Sequence, residues 1–106
     1  MTLQERTHSW FYDSCEFELP DGSSDYDVAT NQSTTAFSSV GVATDVTIRT
    51  DRTIGFKINS ASNATVTLSS TEGSLNYSSI RTSNLFITNN SGATASIKIL
   101  MTGRKA

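Results

Sequence analysis

The sequence predicts an all-β fold: an antiparallel β-sandwich of seven to nine strands with jelly-roll-like connections. Three observations carry that expectation. From Asp45 onward, apolar residues alternate with small polar ones in short runs, the period of a strand with one oily and one wet face. Turn signals recur about every 8–12 residues, the spacing of a sandwich or barrel. Nowhere does an apolar stripe of 3.6-residue period mark an amphipathic helix, so helix is expected to be minimal.

Residues 1 to 9 are polar and aperiodic and read as a flexible arm. Together with the aromatic cluster Trp10, Phe11 and Tyr12 they define an arm of residues 1–12 ahead of a single domain of residues 13–106. Cys15, Phe17 and Leu19 alternate with Glu16 and Glu18 as a first strand. Pro20-Asp21-Gly22-Ser23 is a strong turn signal, because proline presets one backbone angle and glycine accepts one that most residues cannot. Tyr26 and Val28 alternate with Asp25 and Asp27 as a second strand, and the two are expected to pair as an acidic hairpin. Residues 29 to 39 read as loop with Phe37 as its anchor, and Val40 and Val42 lead into a strand over Val46 to Arg49. Asp51-Arg52 turns into a strand from Thr53 to Ile58, and Asn59 to Asn63 turns into a strand from Ala64 to Ser69. A weaker strand surrounds Leu75 and Tyr77. Leu85 to Thr88, the Asn89-Asn90-Ser91-Gly92 turn, and Ala95 to Met101 read as a closing hairpin. The expected core is Cys15, Phe17, Tyr26, Val28, Val46, Ile48, Ile54, Phe56, Ile58, Val66, Leu68, Leu85, Ile87, Ile97 and Ile99.

Composition narrows the function classes. At 106 residues the chain is one domain with one core, and its 36% hydrophobic and 17% charged content are both low. Ser and Thr make up roughly a third of it, where charge would ordinarily stand. Threonine suits a pleated surface, and Ser with Asn suits turns. The net charge of -2 argues for neither nucleic acid nor an acidic partner. Its distribution is uneven. Asp13, Glu16, Glu18, Asp21, Asp25 and Asp27 crowd residues 11 to 30 with no Lys or Arg among them, whereas the chain after Val46 is basic. The two regions can pair within one molecule or between copies. No apolar run approaches the ~20 residues that span a bilayer, so no membrane is expected. A lone Cys15 and the lack of a secretion signal point to folding in a reducing cytoplasm. The Asn-x-Ser/Thr triplets at Asn31, Asn63, Asn76 and Asn89 then read as chance matches.

Little in the chain suits chemistry. His8 stands alone in the arm, Cys15 lies on the inward face of its strand, and no nucleophile elbow, phosphate loop or zinc spacing occurs. Asp21, Asp25 and Asp27 offer clustered oxygens, but their spacing matches no calcium loop. The chain is read as non-enzymatic, with no cofactor and no metal. Trp10, Phe11 and Tyr12 are the candidate partner-binding residues. On a strand Trp10 and Tyr12 share one side and Phe11 takes the other, so one side packs inward and the opposite one seeks cover from a partner. Exposed strand edges rich in Ser and Thr also call for cover, which predicts a homodimer or homotrimer.

Three stretches in order carry a resemblance: Leu19 to Val28 (LPDGSSDYDV), Ile48 to Ser60 (IRTDRTIGFKINS) and Leu85 to Leu100 (LFITNNSGATASIKIL). They resemble a group of small tailed-bacteriophage virion proteins, in which a Pro-x-Gly-x-x-Asp-Tyr strand precedes a T-D-x-x-I-x-x-K-x-N hairpin and an I-T-N-x-S-G hairpin closes the domain. The resemblance implies a structural protein made in the host bacterial cytoplasm and carried in the virion. It would be a capsid decoration or cement protein on a major capsid protein, or alternatively a tail-associated or fibre accessory protein. A carbohydrate-binding sandwich is the rival reading of the aromatic cluster.

Overall fold

The computed structural model describes residues 10–32 and 41–105. Eight strands follow one another: β1 (Trp10–Leu19), β2 (Ser23–Asp27), β3 (Gly41–Thr50), β4 (Ile54–Ile58), β5 (Val66–Leu68), β6 (Ser74–Thr82), β7 (Leu85–Asn89) and β8 (Ala95–Lys105). A single helical turn, α1 (Val28–Asn31), follows β2. The strands form two antiparallel four-stranded sheets, ordered β1-β8-β3-β6 and β2-β7-β4-β5. The fold class read from the alternation is therefore correct. Trp10, Phe11 and Tyr12 lie inside β1, opposite Arg104, Gly103 and Thr102, so the strand reaches back through three residues assigned to the arm. Residues 1–9 and Phe37 lie outside the described residues.

The pairing is nested. β4 and β5 form the innermost hairpin, and β3·β6, β2·β7 and β1·β8 enclose it in turn. Two hairpins expected from the sequence are absent for this reason. β1 and β2 sit in different sheets, and so do β7 and β8. A turn sequence specifies that the chain reverses, but whether it reverses within one sheet or crosses to the facing one depends on distant partners. β1 gains an unbroken ladder with β8, from Trp10↔Arg104 to Leu19↔Ala95, about twice what the five-residue β2 could provide.

Apolar residues of both sheets meet between them. Leu19, Val28, Val46, Ile48, Ile54, Phe56, Leu68, Leu85, Ile87, Ile97, Ile99 and Met101 are almost wholly buried, with Cys15 beside them. Phe17, Tyr26 and Ile58 pack against this core half-buried, and Phe17 stacks on Tyr26 with ring centroids 5.1 Å apart. Val66, an expected core residue, is 37% exposed because it lies on the three-residue edge strand β5. Val28 is buried as expected, but from α1 rather than from a strand.

At three corners a strand pair crosses from one sheet to the other, and each corner is tied by polar side chains. At the first, the β1–β2 and β7–β8 turns run side by side. Asn89, wholly buried, donates both amide hydrogens, to the Leu19 carbonyl at 2.8 Å and to the Ala93 carbonyl at 2.9 Å. Its own carbonyl accepts from the Gly22 N–H at 2.7 Å, and Asp21 accepts from the Gly92 N–H at 2.9 Å. At the second corner, between β3–β4 and β5–β6, the Thr50 N–H donates to the Gly73 carbonyl and the Ser70 N–H to the Thr53 hydroxyl. At the third, Asn84 accepts from the Ala29 N–H at 2.9 Å and donates to Asp27 at 2.9 Å. Asp27 also caps α1 by accepting from the Thr30 N–H at 3.0 Å.

Two outcomes follow from this packing. Phe56→Ala empties the centre of the core and should cost about 3–5 kcal/mol in denaturant titration, enough to unfold a domain of ordinary stability. Acid stability should report on Asp27. The Thr30 N–H, and after it the Asn84 amide, hold its carboxyl below the ordinary 3.8. A pKa lowered by folding contributes stability that is present above the unfolded value and lost as pH falls through the folded one. Asp27→Asn should therefore flatten the decline in melting temperature below about pH 4 and leave its slope near neutrality unchanged.

Candidate functional site

Alternation along each strand fixes what the outer faces offer. In β1, Cys15 and Leu19 point into the core, so Tyr12, Ser14, Glu16 and Glu18 face solvent. On the neighbouring strands of the first sheet the outward residues are Ser96, Lys98 and Leu100 of β8, Asp45, Thr47 and Arg49 of β3, and Ser74, Asn76 and Ser78 of β6. The register aligns these in rows across the sheet. One row reads Glu16, Lys98, Arg49, Ser74, and the next reads Ser14, Leu100, Thr47, Asn76. Charges of both signs thus stand side by side on a hydroxyl-rich surface.

Between the first two corners this face dips into an open groove of about 850 Å³. Glu16, Glu18, Asp51 and Glu72 rim it, and Arg49 and Lys98 stand among them. The rim is built by cross-chain hydrogen bonds: Ser96 donates its N–H to Asp51 at 2.8 Å and its hydroxyl to Glu18 at 2.8 Å. Two carboxylates are therefore committed to holding the β8 entry against β1 and the β3–β4 turn. The second sheet carries a smaller groove of about 480 Å³ on its outer face, lined chiefly by Ser, Thr and Asn. At its side Lys57 Nζ lies 3.1 Å from Asp25 Oδ1. That buried oxygen has no directional hydrogen bond, and the lysine's charge compensates it. Gly55 pairs with Thr67 of β5, and a Cβ on it would come within 2.8 Å of the Thr65 methyl. A side chain there would have to displace the Thr65 side chain, which also lines the groove.

The acidic loop read from the sequence does not converge. Asp21 ties the first corner, Asp25 pairs with Lys57 and Asp27 caps α1. Among the described residues no group of three His, Cys, Asp or Glu side chains could hold a metal ion. Of the three candidate partner-binding residues, Tyr12 has its side chain 79% exposed on the outer face of the first sheet. Trp10 and Phe11 continue the same strand. Leu100, 44% exposed, is one row along on β8, so Tyr12 has an apolar neighbour that the sequence reading missed. Their cross-strand adjacency depends on β1 pairing with β8, two segments some eighty positions apart in the chain.

No protein-family model matches the chain, and no curated protein does either. Among solved structures it is similar to a de novo designed double-stranded β-helix determined by solution NMR, with a TM-score of 0.55 and 17% identity. The match covers 84% of this chain and 97% of the designed one. At that identity the likeness is one of fold.

Cys15 offers a check on the inward face of β1. Burial, and after it the Asp13 carboxylate, pushes its thiol up to about 11. At pH 8 the folded protein should react with a disulfide reagent on the order of 100-fold more slowly than the unfolded chain, because thiolate is the reacting species. A native rate equal to the unfolded one would contradict the inward placement.

Proposed function

We propose that the chain is a non-enzymatic structural protein of a tailed-phage particle, a capsid decoration protein made in the host cytoplasm and bound to the major capsid protein in many copies. The observation that carries this reading is the outer face of the first sheet. Exposed Tyr12 and Leu100 lie next to a hydroxyl-rich surface with mixed charges, all mounted on a rigid sheet. An aromatic anchor within a polar rim is the composition of a protein-docking surface. The resemblance of three ordered stretches to small virion proteins supplies the class of particle. Many modest contacts repeated over a lattice give retention by avidity without any one of them being tight. Tyr12 continues the aromatic cluster of Trp10 and Phe11, which on this reading forms the anchor. The role calls for no cofactor.

Quantitative mass spectrometry of purified particles of the encoding phage tests the proposal. A decoration protein should be present at a copy number comparable to that of the major capsid protein. A few copies per particle would instead support the tail-associated reading, and absence from the particle would overturn both. Tyr12→Ala should lower particle occupancy while leaving the thermal melt of the isolated protein unchanged, because an exposed side chain contributes little to folding.

A further inference from the structure

Four strands end the two sheets, and two of them, β5 and β2, are poor templates for a further strand. β5 has three residues. β2 is broken by a register shift between Ser23 and Tyr26, where Asp25 takes φ +49°. β6 is regular from Ser74 to Ser78 and then kinks at Ser79, φ +67°. β1 differs from all of them. It runs ten residues in unbroken register with β8, contains no Pro, Gly or Lys, and has no partner on its outer side among the described residues. Alternate residues of such a strand turn their backbone groups outward, leaving about five N–H and five C=O groups to be paired.

We propose that this edge is filled by β6 of a second copy of the chain, head to tail, so that the first sheets of neighbouring molecules join into one. Direction and charge both select β6. Three successive antiparallel pairings make β1 and β6 of one sheet antiparallel, so a neighbour presented in the same orientation offers its β6 antiparallel to β1. β1 carries Asp13, Glu16 and Glu18 and no cation, whereas β6 carries Arg81 and no acid. Pairing β1 with another β1 would bring six carboxylates together, and like charges facing each other across a ladder destabilise it. In the unstaggered register the existing rows simply extend. Ser78 and Asn76 of the neighbour come opposite Tyr12 and Ser14, and its exposed Arg81, past the kink, reaches the Tyr12–Asp13 end. There the guanidinium meets the exposed Tyr12 ring, while Asp13 turns to the other side of the strand with Cys15. Because the two edges differ, the contact is heterologous and closes as a ring or continues as a filament.

Sedimentation velocity of the full chain at tens of micromolar, in low and in high salt, tests this. The wild type should assemble, and high salt should weaken the assembly. Arg81→Glu, an exposed substitution, should weaken self-association roughly tenfold, and so should Tyr12→Lys on the outer face, with circular dichroism and melting temperature unchanged. Mixing the two variants should restore assembly, since each then offers the edge that complements the other. A wild type that stays monomeric in both salts overturns the proposal. So does an Arg81→Glu variant that assembles like the wild type, or a mixture that fails to recover.

Discussion

The architecture depends on the three corners at which a strand pair leaves one sheet for the other. At a corner the ladder of backbone hydrogen bonds stops on both strands at once, just where the chain passes the edge of the core. Buried N–H and C=O groups left without partners cost about 1–3 kcal/mol each. The chain answers with short polar side chains that substitute for the missing ladder. Asn89 is the clearest case, since both its amide hydrogens go to main-chain carbonyls, those of Leu19 and Ala93, and its own carbonyl accepts Gly22. Asn84 does the same between Ala29, Leu85 and Asp27, and Asn59 accepts from Ser83 while its N–H donates to the Asn84 carbonyl. These asparagines lie in loop-like sequence, yet they set the path by which eight strands become two facing sheets.

The surface follows from the same crossings. Because every strand turns its apolar side toward the facing sheet, the outer faces inherit the alternate positions, which are Ser, Thr and a few charges. Those faces hold their side chains on a ladder rather than on loops, which limits their freedom and lowers the entropy lost on docking. Carboxylates near the corners are occupied in structural work: Asp21, Asp27, Asp51 and Glu18 each accept a hydrogen bond from elsewhere in the chain. The acidic crowding of residues 11 to 30 is thus dispersed over separate tasks, and Lys57, from the basic remainder, meets Asp25 within one molecule.

Much of this was legible in the sequence. Alternation placed β3, β4 and β8 and their inward residues Val46, Ile48, Ile54, Phe56, Ile97 and Ile99, since the period of two is a local property of the backbone. Leu19 and Met101 were left out of the expected core as the last residues of their expected strands, yet β8 runs on past Met101 to Lys105 and Leu19 is sealed by the corner at Pro20. β6 looked weak because its outward residues, Ser74, Asn76 and Ser78, outweigh its half-buried Leu75 and Tyr77. Tyr77 is held by the buried Thr82, an arrangement visible only once the Ser79 kink brings the two hydroxyls to 2.8 Å.

By itself the sequence determined the class, a range of seven to nine strands, most of the inward faces and most positions of reversal, because each depends on side-chain periodicity and turn chemistry within a few residues. It also placed Tyr12 in an aromatic cluster with Trp10 and Phe11. Tertiary structure alone decided which strands lie side by side. The turns at Pro20–Ser23 and Asn89–Gly92 looked like hairpins and became crossings, because β1 and β8 complete a longer ladder with each other than with their neighbours in sequence. That choice made β1 an edge, set Tyr12 beside Leu100, and placed acidic β1 and basic β6 at opposite ends of one sheet. None of these follows from local sequence, since each is a contact between segments whose separation along the chain carries no trace of their distance in space.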